Sequence, residues 1–349
     1  MSRFPRRLAG LLVALLFTLV LAGCAEATAT PPPTPTPTPT PTPAPTPTPI
    51  PAGSVVLGEV SLPAPDPDRL AKLSHLLSLV PGEYNSAIFL DARALESSPV
   101  LRGALSLDTL GLQGALPSAA TGLIDRLVLA TGEGGQGAFT VLDGAFDVEA
   151  LLQVATGFGL SLGGPEPEAY RDHQVWSVEI FGLTLAVGEA DDSTVVFSSG
   201  SPLGGTPAVE VVENALDVFD GLQPGLLDES EIRGLVDRLP SGFAATVFHR
   251  CGDLGELGTV IDLPGCAGAA VSAGLQDDQT VMFYGLAGFV DESMATAALQ
   301  IAMERIEEGA SVSFGELVLD QEGPLVLAMV LVDPAQLAKA ARSLTMPQQ

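Results

Sequence analysis

Lysine is almost missing from this 349-residue chain, which holds only Lys72 and Lys339. Fifteen Lys and Arg stand against 42 Asp and Glu, for a formal net charge of −27. Such a surface is repelled by phosphate backbones and anionic lipid headgroups, which excludes a nucleic-acid role. The same acidity keeps an exposed protein soluble and favours cations or basic partners. Aromatics make up 5%, with a single Trp. That is too few exposed rings for a carbohydrate-binding surface, so Trp176 is expected in a core strand, with Tyr170 nearby. Histidine occurs three times, as His75, His173 and His249. None lies in H-E-x-x-H, and no pair has close metal-ligand spacing. No G-x-S-x-G elbow exists. His249 and Cys251 would share a face at a strand end, as a Cys–His nucleophile pair requires, but a disulfide would consume the thiol. No cofactor is expected.

What is present begins with an address. Arg3, Arg6 and Arg7 precede an apolar run from Leu8 to Leu21. That run is shorter than the roughly 20 residues a membrane span needs. A basic segment, a short apolar segment and small residues in that order mark a secretory signal peptide over residues 1–23. The run ends Leu21-Ala22-Gly23-Cys24. This resembles the lipobox of bacterial lipoproteins, and the resemblance implies a diacylglyceryl group on Cys24 and a mature chain starting there. Each buried lipid methylene contributes about 0.8 kcal/mol, so two or three acyl chains hold a protein almost permanently. The membrane is then a partner through Cys24. The expected place is the outer face of the cytoplasmic membrane, or the outer membrane of a two-membrane host. Processing leaves 12 basic residues against 42 acidic ones.

Residues 24–53 form a stalk, nearly pure Pro and Thr from Pro31 to Pro49. Proline fixes φ, lacks an N–H and keeps the preceding residue out of the helical region. Polyproline II is the expected state, at about 3.1 Å per residue, reaching on the order of 60 Å.

The body divides into a first half, residues 54–227, and a second, 228–349, that opens with a connecting helix. The first half reads as strand Ser86–Asp91, a hairpin at Leu127–Ala130 and Ala138–Leu142, and a helix from Val148 to Phe158 behind Asp147. Strands Val175–Ile180, Leu183–Val187 and Thr194–Phe197 follow, then a helix Ala208–Phe219. The second half repeats the order, with Gly288-Phe-Val-Asp291 echoing Gly144-Ala-Phe-Asp147. Asp228-Glu-Ser-Glu231 reads as a capping box for the connecting helix. A short amphipathic helix near Pro67–Leu79 should pack on the body. The predicted class is α+β in two similar halves, each of antiparallel β-hairpins covered by helices on one face. On this architecture and stalk the body resembles uncharacterised duplicated α+β lipoproteins of bacterial surfaces, a likeness that carries no functional residue across.

Chemistry is sparse. Gly132-Glu-Gly134-Gly-Gln-Gly137 fits the dinucleotide pattern in letters, but a strand follows it where the motif demands a helix, so a hairpin turn is expected. Cys251 and Cys266, in an oxidising compartment, suggest a disulfide closing a loop of about 15 residues, worth roughly 3 kcal/mol; two buried thiols are the alternative. Asp191-Asp192 and Asp277-Asp278 occupy corresponding hairpin turns. Asp suits turns because its side chain bonds the nearby backbone, and no calcium-loop pattern surrounds either pair. They are the weak metal candidates, and Glu166 and Glu168 read as loop residues. The expected role is non-enzymatic binding of a ligand or protein partner at the cell surface. A hydrolase using carboxylates alone and a carrier of a lipid or other hydrophobic ligand are the alternatives.

Overall fold

Asp66 starts the first helix, α1 (Pro67–Ser78), by accepting the Asp68 and Arg69 backbone N–H groups at 3.1 and 3.2 Å. Pro67 fills a first-turn position whose N–H would have had no partner. Leu73, Leu76 and Leu77 recur at helical spacing and are buried, each stabilising by about 1.5–3 kcal/mol. This is the packing helix expected between Pro67 and Leu79. The computed structural model describes residues 55–57, 66–104, 124–132, 139–145, 148, 167–180, 183–199, 206–250, 265–276, 280–307 and 317–333.

Thirteen strands follow one another through those residues: β1 (Val55–Leu57), β2 (Ser86–Asp91), β3 (Ile124–Thr131), β4 (Phe139–Gly144), β5 (Glu168–Tyr170), β6 (His173–Ile180), β7 (Leu183–Glu189), β8 (Thr194–Ser199), β9 (Ala244–Phe248), β10 (Cys266–Leu275), β11 (Val281–Phe289), β12 (Leu317–Glu322) and β13 (Leu325–Val332). The other helices are α2 (Ala92–Ser97), α3 (Pro99–Ala104), α4 (Ala208–Phe219), α5 (Ser230–Val236) and α6 (Glu292–Glu307). All thirteen strands join one sheet, ordered β1-β12-β13-β11-β10-β9-β2-β3-β4-β8-β7-β6-β5. Every pairing is antiparallel except β1 with β12. The α+β class therefore holds. The sheet runs unbroken from one half of the chain to the other through β2 and β9, where Phe89 pairs with Ala245.

Helices lie on both faces of the sheet, not on one. The reason is written in the central strands, whose side chains are buried to either side: all five residues of β9 and five of six in β2. On one face α1, α4 and α5 share a core with Phe89, Val128, Val141, Val247 and Tyr284. On the other, α6 sets Ala295 and Ala298 against Phe289, and Val148 packs with Trp176 and Val195. Small residues let the first layer approach closely. A Cβ on Gly188 of β7 would meet Val212 Cγ1 of α4 at 2.6 Å, and one on Gly268 of β10 would meet Ile232 Cδ1 of α5 at 3.0 Å.

Two local expectations change. Asp228 does not cap α5; its carboxylate accepts the Gly225 N–H at 2.7 Å and closes a 3-10 turn over Leu226–Asp228. Residues 55–57, which the sequence pattern does not mark as a strand, form β1, which pairs parallel with β12 and makes the edge of the sheet. Most of the helix expected from Val148 lies outside the described residues, as do the Gly132–Gly137 turn beyond residue 132 and the C-terminal helix that Asp333-Pro334 is expected to start. No helix among the described residues is long and apolar enough to cross a membrane.

Candidate functional site

Asp191 and Asp192 sit in the turn joining β7 to β8, where Ala190 N–H reaches Thr194 O at 2.9 Å. The Asp191 carboxylate accepts the Ser193 N–H at 2.8 Å and the Ser193 hydroxyl at 3.1 Å. Burial alone would raise its pKa, but donors from Ser193 and Thr194 outweigh that and hold it below the usual carboxylate range. Asp191 is thus an ionised turn residue, as the turn chemistry of Asp predicts. Asp277 and Asp278, expected in a corresponding turn, fall between β10 and β11 and so belong to a different hairpin position from Asp191; they lie outside the described residues, as do Cys251, Cys24, Leu21, Ala22 and Gly23. Cys266 opens β10, opposite Phe289. Glu168, read as loop, belongs to the short edge strand β5.

Around the Asp191 turn the ends of β6, β7 and β8 enclose a cleft of about 610 Å³. Its floor is apolar: Val148, Trp176 and Val195. Its rim is acidic: Asp172, Glu189, Asp191 and Asp192. Among the described residues no Lys or Arg lines it. Sequence position explains the arrangement. Asp172 turns β5 into β6, Glu189 ends β7, and Gly188 pairs with Val175 across the β6–β7 ladder, so three acidic strand ends converge. Trp176 is in the core, as expected, and also bounds the cleft. It is 2% exposed, and its indole N–H has no hydrogen-bond partner.

His173 forms a wall, with both ring nitrogens engaged. Nδ1 lies 3.0 Å from the Glu189 carbonyl oxygen and Nε2 lies 3.1 Å from the Asp220 carboxylate. Phe219 meets the ring edge-on at 5.8 Å. His249, at the end of β9, is bonded to Glu229. The structure therefore places His173 and His249 in separate hydrogen-bonded contacts. His75 lies in the last turn of α1.

Two polar networks brace the cleft. Arg171 adopts φ +55°, a left-handed conformation costly for a side-chain-bearing residue, and its guanidinium donates to Asp217 at 2.8 Å. The Tyr170 hydroxyl donates to the same carboxylate at 3.1 Å, and Gln223 donates to its second oxygen at 3.3 Å. Nearer the sheet centre, Arg126 of β3 donates to Asp143 of β4 at 2.8 Å and approaches Asp91 of β2 at 3.7 Å. Lys72 stands 3.9 Å from Asp143. The Ser193 hydroxyl lies 3.5 Å from Asp143, linking this network to the Asp191 turn. Reading the sequence does not single out Asp172, Glu189, Arg126 or Asp143. Their spacing carries no motif; only strand register brings them together. Among the described residues no group of three or more His, Cys, Asp or Glu side chains could hold a metal ion.

No family model and no curated protein matches the chain. Three solved structures of TP0453 share some of its shape. Crystal form III has 8% identity and a TM-score of 0.46 over 76% of this chain and 97% of that one. Form IV gives 8% and 0.45 over 77% and 96%, and form I gives 9% and 0.43 over 78% and 98%. At these scores the likeness carries no conclusion.

Proposed function

We propose that this protein is a lipid-anchored extracytoplasmic binding protein, held at the membrane through Cys24, raised on its Pro/Thr stalk, and engaging a cationic ligand in the cleft at the β7–β8 turn. The observation that carries the reading is the cleft's division into an apolar floor and a four-carboxylate rim, with no Lys or Arg among its described lining residues. A field of one sign focused in a concavity concentrates the opposite charge. Binding is favoured over hydrolysis because the candidate acid–base groups are occupied. Asp191 is held ionised by its turn donors, and both nitrogens of His173 are engaged. A catalytic carboxylic acid needs a raised pKa, the reverse of what Asp191 has. Carriage of a lipid fits poorly with an acidic rim.

Trp176 is the only tryptophan and gives a direct readout. Cationic solutes should shift its emission saturably, while neutral and anionic solutes leave it unchanged. Equal indifference to all three would overturn the cleft reading. The anchor is tested separately: Cys24→Ala should release the protein from membranes or leave it unprocessed, and unchanged fractionation with an unmodified N-terminus would refute it.

We also propose a duplication and a disulfide. The body is a duplication: outward from the β2–β9 pair, the order β2-β3-β4-β8-β7 on one side matches β9-β10-β11-β13-β12 on the other. The β3–β4 hairpin thus corresponds to β10–β11, and β7–β8 to β12–β13. Cys251 and Cys266 form a disulfide, as an even pair of cysteines in an oxidising compartment suggests. The two cysteines should resist alkylation until reduced, and ready labelling of the native protein would count against the bridge.

A further inference from the structure

We infer that β1 is a clip that fixes where the stalk joins the body. Its pairing with β12 sets the attachment at one edge of the sheet. The cleft, near the other edge, is thereby held away from the anchoring membrane and takes its ligand from the surroundings. The clip stands on the sheet alone; its consequence for the cleft rests on the anchored-binding reading above.

The clip lies at the first point where the chain can pair. A proline stands at every odd position from 31 to 51, and each withholds the N–H that a sheet ladder needs. Only Ala52, Gly53 and Ser54 separate the last of them from β1. Val55-Val56-Leu57 then offers three strand-forming residues in a row. They run parallel to Leu317-Val318-Leu319, residue for residue. The stalk thus meets the sheet edge with almost no slack.

The next fixed point is far from that edge. Asp66 donates its backbone N–H to the Ser241 hydroxyl at 2.7 Å, and that hydroxyl donates to the Asp66 carbonyl at 2.9 Å. Ser241 leads into β9, at the middle of the sheet. β1 and β9 are five strand spacings apart, about 24 Å. Asp66 is nine residues after Leu57, a reach of about 30 Å at full extension. The connection is long enough, with little to spare.

Without β1 the stalk would leave from Asp66, five spacings from β7 and its Asp191 turn. With β1 it leaves ten spacings away, about 48 Å along the sheet. A body on a short link swings about its attachment, and the bilayer closes off the directions on its own side. Points far from the attachment therefore stand higher on average than points near it. The clip doubles the distance of the cleft from that pivot.

The test uses the chain carrying its Cys24 lipid but lacking residues 31–49, in phosphatidylcholine vesicles whose headgroups bear a dansyl acceptor. The shorter stalk brings the body within range of energy transfer. Trp176, the only tryptophan, reports from the cleft. Leu331→Trp in a Trp176→Phe background reports from β13, two spacings from β1, at a position 43% exposed. That donor should transfer at least about threefold more than Trp176. Val56→Pro/Leu57→Pro removes whichever of two adjacent N–H groups faces β12. It should close the gap between the donors and speed amide exchange in β12 about tenfold or more. β12 amides that exchange alike in both chains would overturn the clip. Equal transfer from both donors, with the β12 amides protected, would overturn the placing of the cleft. A chain that does not join the vesicles would overturn the anchor instead, and amide exchange in solution would still decide the clip.

Discussion

Asp191 shows how one side chain serves a turn and a surface together. Its carboxylate holds the β7–β8 turn through Ser193 and stays charged at the cleft rim. Because its folded pKa lies below the unfolded value, it contributes stability above the ordinary carboxylate range, and that contribution is lost as pH falls through the lowered value. Asp191→Asn should therefore lower the urea midpoint at about pH 7 and approach the parent near pH 3. An equal deficit at both pH values would assign the effect to packing instead. The opposite sign holds at Tyr284, buried between α5 and the sheet. Burial, helped by the Glu322 charge, pushes its phenol up to about 12. Its neutral form stabilises the fold fully below the unfolded value of 10.0, and that stability drains away as pH rises from there towards 12. Tyr284→Phe should flatten the alkaline loss of stability measured by chemical denaturation. A loss as steep as the parent's would show that the phenol is not its source.

Elements were legible where periodicity and turn chemistry agreed. Ser86–Asp91 and Ala208–Phe219 begin and end where the sequence pattern places them. β1 was hidden because three residues among prolines form no pattern; only pairing with β12 makes them a strand. β5 was hidden likewise, its exposed Glu168 and Ala169 resembling loop. Of the site, the Asp191-Asp192 turn was legible from the preference of Asp for turns. The cleft was not, since Asp172, Glu189 and Trp176 meet only through the β6–β7 register. The helices on two faces could have been inferred from β9, Ala244-Ala-Thr-Val-Phe248, where no polar alternation marks a wet side. Packing at this scale is testable at Gly188. A methyl there would press on Val212 and Leu216, so Gly188→Ala should cost about 1–3 kcal/mol and separate α4 from β7. A variant as stable as the parent would mean that α4 shifts freely.

At the scale of the whole molecule, charge and connectivity say what local motifs do not. The chain has a strong excess of acid, a single sheet carries both halves, and one concavity combines apolar floor with acidic rim. Arg126 supports that end from within, between two carboxylates on neighbouring strands. These features are the ones on which the proposed tethered binding protein, selecting a positively charged partner, rests. The most direct test is native mass spectrometry of the mature chain from residue 25, exported behind a signal that adds no lipid, alongside its Asp191→Asn/Asp192→Asn variant. The account predicts an added mass on the parent that disappears on denaturation, carries basic groups, and is missing from the variant. A parent at its bare mass, or the same added mass on both chains, would contradict it.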